Sequence, residues 1–206
     1  MVEYANTQGS PMHDALKPAI TRWAERILDT VDACMRENKP IDVDHLAEVL
    51  ASAPTWQGCP HTEDVADAAS ASGYRRIALT DHATRGYDAL LIVWPPGHAT
   101  PIHDHDGLWG MEIMLDGVLE VEAFDLSLQE HPHLVSRGVS VIGIGDHLAF
   151  SQADYAHRCR NLSSNRAAVS LHIYGGALDT YRSYHSDDAE RWTSKIHQTV
   201  REPALV

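Results

Sequence analysis

The segment GHATPIHDHDGLWGMEIMLDG at residues 97–117 decides the fold that this sequence predicts. Two of its histidines, His103 and His105, stand one residue apart in a region with strand character. Side chains at positions i and i+2 of a strand point to the same face, so both imidazoles can approach one metal ion. The spacing alone is weak evidence, because His131 and His133 repeat it around a proline. We interpret that second pair as surface residues.

A third histidine, His157, completes the predicted metal site. It lies in the segment YAHRCRN and follows the turn GIGD at residues 143–146. Three neutral imidazoles from two strands would leave open positions on the far side of the metal, as a catalytic centre requires. A site without a carboxylate ligand is more positive by one charge than a two-histidine, one-carboxylate site. It therefore favours an anionic ligand, and a thiolate is well suited.

A second set of polar residues alternates along the segment AAVSLHIYG. Ser170, His172 and Tyr174 are two residues apart and share one face of the predicted strand. His172 is then able to hydrogen-bond to Tyr174 through one ring nitrogen and to Ser170 through the other. This arrangement would orient a phenol beside the metal without making it a ligand. The alternative is an ordinary half-buried strand whose polar face meets water.

The composition indicates a single acidic domain. The chain has 206 residues, enough for a substantial core, and its ten prolines and thirteen glycines separate many short apolar runs. The net charge of −13 argues against nucleic acid or an anionic membrane as a partner. We expect a monomer or a small homo-oligomer.

The cysteines and the first residues indicate a reducing, cytoplasmic location. Cys34, Cys59 and Cys159 are odd in number and lack CxxC spacing, which argues against a disulfide framework and against a thiolate zinc site. The first ten residues contain no basic segment followed by an apolar stretch, so no signal peptide is predicted. No apolar run approaches the roughly 20 residues that a membrane helix needs.

The hydrophobic periodicity divides the chain into a helical region and a β region. Residues 1–12 are predicted to be a disordered tail, and the remaining chain, 13–206, to be one domain. In its helical part, 13–73, apolar residues recur at three- and four-residue steps from Ala15 to about Asn38. A second helix, capped by Asp42 or Asp44, should run to about Ser52, and a third from Thr62 to Gly73. These helices should pack on the outside of a β body.

From Tyr74 onward the apolar period changes to that of strands. Eight or more short β-leaning runs, separated by turns, predict a closed or double-sheet β architecture over residues 74–184. The last stretch, 187–201, is predicted to form a polar helix with Trp192 and Ile196 on its inner face. No G-x-G-x-x-G, P-loop or βαβ alternation is found, which argues against a nucleotide-binding sheet.

The motif segment resembles the first motif of the cupin superfamily, small β-barrels that hold a metal inside, and His157 with Asn161 resembles the second. The fold class implied is a mainly β cupin, a double-stranded β-helix or jelly-roll barrel. The first motif normally supplies a carboxylate four or five residues after its second histidine, where this chain has Trp109 and Gly110. Glu112 lies beyond that position, and we take it to face outward.

The three histidines and the alternating triad, found here without the motif carboxylate, resemble the site of the cysteine dioxygenase family. These are non-haem iron enzymes within the cupin superfamily. The resemblance covers about residues 74–174. It implies that His103, His105 and His157 hold Fe2+ and that Ser170, His172 and Tyr174 form an outer triad. It also implies that Tyr74 and Arg76 bind the substrate, with Arg76 holding its carboxylate, and that a small thiol acid reacts with O2 to give a sulfinic acid.

Neighbouring residues refine this expectation. Trp109 should help to exclude water from the substrate, and Arg75 should point away from the pocket and be exposed. A structural ion pair with an acidic residue is the alternative role for Arg76. Arg158 and Arg160 alternate with inward positions and should lie outside the pocket.

Two departures from the family pattern leave the substrate open. Gly110 stands where the mammalian enzymes have a cysteine crosslinked to the active-site tyrosine, so that crosslink is not possible here. Gly175-Gly176 follows Tyr174, as in bacterial members that oxidise 3-mercaptopropionate, but those members usually have glutamine at the position of Arg76. L-cysteine is the first substrate prediction, and 3-mercaptopropionate or mercaptosuccinate is the alternative. A cupin that binds metal as a non-catalytic sensor is the competing functional class.

Overall fold

The computed structural model describes most of the chain, in the ranges 11–37, 40–65, 73–80, 82–128, 131–151, 154–188 and 191–202. Its helices come first: α1 (Pro11–Glu37), α2 (Val43–Leu50), a short 3-10 helix (Ala53–Thr55), α3 (Thr62–Val65) and, between the first two strands, α4 (His82–Arg85). Within this described part of the chain, none of the helices combines the length and hydropathy needed to cross a membrane.

The first two helices form where the apolar pattern and the capping residues predict them. Trp23, Ile27 and Val31 are buried on one face of α1, as their three- and four-residue spacing requires. Asp42 caps α2 by accepting a hydrogen bond from the backbone N–H of His45 at 3.0 Å. α1 begins at Pro11, earlier than Ala15, so the last two residues of the predicted disordered tail are helical. Residues 1–10, and residues 66–72 of the predicted third helix, lie outside the described ranges.

Eleven strands are found in the described residues, and they form two antiparallel sheets. The first sheet has the order β1-β2-β9-β4-β7 and the second the order β11-β10-β3-β8-β5-β6. This is the mainly β, double-sheet architecture that the sequence predicts. The strands are β1 (Arg75–Ala78), β2 (Asp88–Trp94), β3 (Ile102–His103), β4 (Gly110–Asp116), β5 (Leu119–Leu128), β6 (Pro132–Ile142), β7 (His147–Phe150), β8 (Tyr155–Asn161), β9 (Ala168–Tyr174), β10 (Thr180–Asp188) and β11 (Arg191–Gln198).

The central strands of the first sheet are buried on both faces, and this explains their nearly continuous apolar sequence. One face packs against the N-terminal helices in the largest hydrophobic cluster; its members include Trp23, Ile27, Leu46, Leu91, Ile113 and Leu171. The alternate residues of the same strands point to the interior between the sheets. All the polar residues of the candidate site project into that interior.

The predicted C-terminal helix over 187–201 is wrong. Residues 180–188 and 191–198 form the antiparallel strands β10 and β11, and β10 also pairs with β3. Trp192 packs against the neighbouring core, but the side chain of Ile196 is 61% exposed. Residues four apart share a strand face as well as a helix face, so the Trp192–Ile196 spacing fits both structures. The pairing of β10 with β3 joins the hairpin to the segment that contains His103. This pairing stabilises the segment as a strand rather than a helix.

Candidate metal centre

The three histidines predicted from the sequence are brought together between the sheets. His103 lies on β3 directly opposite His157 on β8, and His105 follows two residues later. The ring centroid of His157 is 4.7 Å from that of His103 and 4.8 Å from that of His105. One potential ligand atom from each ring lies within 4.8 Å of the other two. The imidazoles therefore converge on one point.

The hydrogen bonds of the rings indicate which nitrogens are available to a metal. Nδ1 of His103 donates to the carbonyl of Pro101 at 3.0 Å, which leaves Nε2 as the ligand atom. Nδ1 of His157 lies 3.4 Å from the hydroxyl of Tyr155 and 3.8 Å from the sulfur of Cys159, so Nε2 is the nitrogen that remains for the three-histidine set.

The electrostatics of the cluster also fit a metal. Loss of solvent lowers the pKa of His103 to about 4, and burial together with the neighbouring imidazoles holds the pKa of His105 and of His157 well below the usual range. The rings are therefore neutral, as metal ligands must be. Nε2 of His105 is buried and has no hydrogen-bond partner in the described structure. Such an orphaned nitrogen is rare in proteins and fits a divalent metal ion.

Asp104, between the two histidines of the motif, anchors their turn to the C-terminal hairpin. It is 3% exposed and accepts hydrogen bonds from the hydroxyl of Tyr184 at 2.6 Å and from the backbone N–H of Arg182 at 2.8 Å. Both donors belong to β10. Sequence reasoning missed this role because the partners lie about 80 positions further along the chain.

The predicted outer triad is present, with one additional member. Ser170 Oγ lies 2.8 Å from Nε2 of His172, and Nδ1 of His172 lies 3.1 Å from the hydroxyl of Tyr174. Nε1 of Trp94 donates to Ser170 Oγ at 2.8 Å. Burial, followed by the positive charge of Arg76, lowers the pKa of His172 to about 3, so its ring is neutral. Trp94 was not predicted, since it reaches Ser170 from the neighbouring strand β2.

The open side of the histidine cluster faces a cavity of about 240 Å³. Its wall includes the predicted substrate residues Tyr74 and Arg76, together with Tyr174 and the unpredicted Tyr181 of β10. Nε of Arg76 is buried and has no hydrogen-bond partner among the described residues. The structural ion pair considered for Arg76 is formed instead by Arg75, which binds Glu202.

Two further predictions about side-chain placement are wrong. Trp109 does not line the cavity; its indole covers Gly175, where a Cβ atom would lie 2.1 Å from Nε1 of Trp109. It packs against the helix-covered core rather than beside the substrate space. Arg75 is not exposed, because its pairing with Glu202 leaves its side chain only 23% accessible. Arg158 and Arg160 do lie outside the pocket, on the exposed face of β8.

Glu112 also faces the interior, contrary to the outward orientation inferred for it. It shares a face of β4 with Gly110, and that face is directed between the sheets. Glu112 is 1% exposed, and neither of its carboxylate oxygens has a hydrogen-bond partner in the described structure. The closest ring nitrogen of His172 is 3.7 Å away. Burial raises the pKa of Glu112 to about 8. The period of the strand placed Glu112 beside Gly110, but the sequence did not show which face of β4 was internal.

The family model and the curated relatives that match this chain belong to the same family. A family model described as cysteine dioxygenase type I matches residues 28–187. Cysteine dioxygenase type 1 of Homo sapiens is 26% identical over 106 residues, which is 52% of this chain and 53% of the relative. The same enzyme of Danio rerio is 26% identical over 119 residues, 57% of this chain and 59% of the relative. The chain thus spans about half the length of the curated relatives it matches.

Among solved structures, a sugar phosphate isomerase of the cupin superfamily from Silicibacter pomeroyi is similar to this chain. It is 19% identical, with 61% of this chain and 78% of the isomerase covered and a TM-score of 0.40. An oxalate oxidase is 21% identical, with 54% of this chain and 57% of the oxidase covered and a TM-score of 0.40.

Proposed function

Because this chain belongs to the cysteine dioxygenase type I family, we propose that it is a thiol dioxygenase. In this proposal it converts a small thiol carboxylic acid, with L-cysteine as first choice, and O2 into the sulfinic acid. The observation that carries the proposal is the cavity that joins the three-histidine cluster to Arg76. A metal site without a carboxylate ligand and a guanidinium facing the same space suit a substrate with a thiolate and a carboxylate.

Fe2+, held by His103, His105 and His157, is the proposed cofactor. When bound it supplies the redox chemistry of oxygen transfer and lowers the pKa of the substrate thiol. Arg76 would bind the substrate carboxylate through a two-point, charge-assisted contact, which fixes the direction in which the thiol points. The thiol at the metal and the carboxylate at Arg76 together fix the orientation of a short substrate, which favours the reaction.

The hydrogen-bonded chain behind the cavity would direct a phenol proton toward the substrate. Trp94 only donates, so it occupies an acceptor site of Ser170 and favours donation from Ser170 to Nε2 of His172. Nδ1–H of His172 then donates to the oxygen of Tyr174, whose own proton remains free for the cavity. Burial raises the pKa of Tyr174 well above its ordinary value, which keeps that proton in place.

The cavity wall favours a monocarboxylate. Among the described residues that line it, Arg76 is the sole guanidinium or ammonium group, and a dicarboxylic thiol such as mercaptosuccinate would leave one carboxylate without a cation. The described residues of the same wall include no aspartate or glutamate, so among them the ammonium group of free cysteine has no carboxylate partner. Because 3-mercaptopropionate has no ammonium group and needs no such partner, it is the second candidate substrate.

Oxygen uptake by the purified, iron-loaded protein tests the proposal. We expect uptake with L-cysteine or 3-mercaptopropionate, little with mercaptosuccinate, and none with an aminothiol that lacks the carboxylate. Arg76→Ala should raise KM for the carboxylate substrate by roughly 10- to 150-fold, the effect of losing a charge-assisted hydrogen bond worth 1.5–3 kcal/mol.

Arg75→Ala is the matched control for that variant, because Arg75 is the adjacent guanidinium but binds Glu202. It should leave KM close to that of the unaltered protein. No oxygen uptake with any of these thiols by protein that has bound stoichiometric iron would contradict the dioxygenase proposal and favour the sensor class.

A further inference from the structure

A second group of potential metal ligands lies on the other side of the His157 ring. One ligand atom each from Glu112, His157 and Cys159 lies within 4.8 Å of the other two. All three residues are at most 2% exposed. Nδ1 of His157, the nitrogen not needed by the three-histidine set, is 3.8 Å from Sγ of Cys159. Cysteine spacing in the sequence argued against a thiolate site, but β4 and β8 bring these ligands together across the interior.

The group contains polar atoms that the surrounding protein does not satisfy. Both carboxylate oxygens of Glu112 lack a hydrogen-bond partner among the described residues. The contacts of Nδ1 of His157 with Tyr155 and Cys159 are long, at 3.4 and 3.8 Å. A buried carboxylate without a partner is destabilising. A cation between these atoms would offset that cost.

The observed separation is close to what zinc requires. Zn–S bonds of about 2.3 Å and Zn–N bonds of about 2.0–2.1 Å at a tetrahedral angle separate sulfur and nitrogen by roughly 3.6 Å. The observed separation of 3.8 Å is close to that value. A thiolate and a carboxylate would also neutralise a divalent ion, whereas the three-histidine set leaves both positive charges uncompensated. Thiolate ligands select soft and borderline ions.

We propose that Glu112, Nδ1 of His157 and Cys159 form a second metal position for a thiophilic divalent ion such as Zn2+. Binding releases the thiol proton of Cys159, and any proton on Glu112, to solvent. A neutral imidazole has one nitrogen lone pair, so His157 cannot bind through Nδ1 here and through Nε2 in the three-histidine set. The two positions therefore exclude each other, and an ion at the second position disables the first.

Cobalt(II) tests the position directly, since a cobalt–thiolate bond gives a near-ultraviolet charge-transfer band that a three-histidine site does not. One equivalent of Co2+ added to the metal-free protein should produce this band. Cys159→Ser should abolish it, while Cys34→Ser, which removes another buried thiol, should keep it. Glu112→Gln should weaken cobalt binding by more than the roughly 10- to 100-fold typical of losing an outer-sphere partner.

His103→Ala separates this proposal from the proposed enzyme activity. It removes a ligand of the three-histidine set only, so the charge-transfer band should persist in a protein that has no competent iron site. Bound cobalt without the band in the unaltered protein would overturn the second position, whatever the folding of the variants. Two equivalents of cobalt bound per chain, with the band present, would overturn the mutual exclusion.

Discussion

Glu112→Gln should stabilise the metal-free protein, and the gain should grow as the pH rises. Burial raises the pKa of Glu112 from an ordinary value of 4.5 to about 8. Between these two values the unfolded chain has released the carboxyl proton while the folded protein retains it. The unfolded state then binds fewer protons, so this residue makes the free energy of unfolding fall as the pH increases. Glutamine has nearly the same shape and does not titrate.

The size of this effect follows from the width of the pH window. One such group changes the free energy of unfolding by about 1.4 kcal/mol per pH unit between its two pKa values. The penalty attributed to Glu112 is absent below pH 4.5, reaches about 3 kcal/mol at pH 7 and levels off near 5 kcal/mol above its folded pKa of about 8. Any unsatisfied hydrogen bond of the glutamine amide adds a constant offset, which does not alter the slope.

Urea unfolding of the metal-free protein between about pH 5 and pH 8 measures this difference. The free energy of unfolding of Glu112→Gln minus that of the unaltered protein should increase steadily across the range. Glu120→Gln is the matched control, because Glu120 is an intermediate-exposure residue paired with Arg160 on the outside of the second sheet. Parallel pH profiles for Glu112→Gln and the unaltered protein would refute the reasoning.

Three further substitutions test the packing and hydrogen bonds around the site. Trp94→Phe removes the donor to Ser170 and should lower stability by roughly 1–3 kcal/mol in urea unfolding and reduce kcat more than it changes KM. Gly110→Ala would place a Cβ 2.5 Å from the ring of Phe150 and should cost roughly 1–3 kcal/mol of stability. Asp104→Asn should weaken metal affinity about 10- to 100-fold, measured by chelator competition.

Gly110→Ala and Asp104→Asn each have a matched control, and Trp94→Phe has a result that would contradict its predicted effect. Gly143→Ala meets its nearest atom at 3.7 Å and should be nearly neutral, so a loss equal to that of Gly110→Ala would exclude the steric explanation. Asp106→Asn alters an exposed carboxylate that also contacts Arg182 and should leave metal affinity unchanged. Equal kcat for Trp94→Phe and the unaltered protein would show that Trp94 does not help to orient Tyr174.

The sequence alone determined the features that depend on neighbouring positions. His103 and His105 share a face, as do Ser170, His172 and Tyr174, because side chains alternate strictly along a strand. The same local rule placed Arg158 and Arg160 outside the pocket. The apolar period of α1 and a capping aspartate, Asp42 or Asp44, predicted the first two helices, since both signals act within one or two turns. The missing carboxylate at Trp109 and Gly110 was likewise visible in the motif itself.

Tertiary structure decided the features that depend on which strands pair. Trp94 reaches Ser170 across a 76-residue separation, and Tyr184 reaches Asp104 across 80 residues. Trp192 and Ile196 fit a helix or a strand equally well, and only the pairing of β10 with β3 made that segment a hairpin beside the metal site. β4 pairs with β7 and β9 in the first sheet. Glu112 became internal because its face of β4 is directed toward the second sheet. Strand alternation gives the relative orientation of residues, whereas the burial of a face is fixed only when the sheets pack.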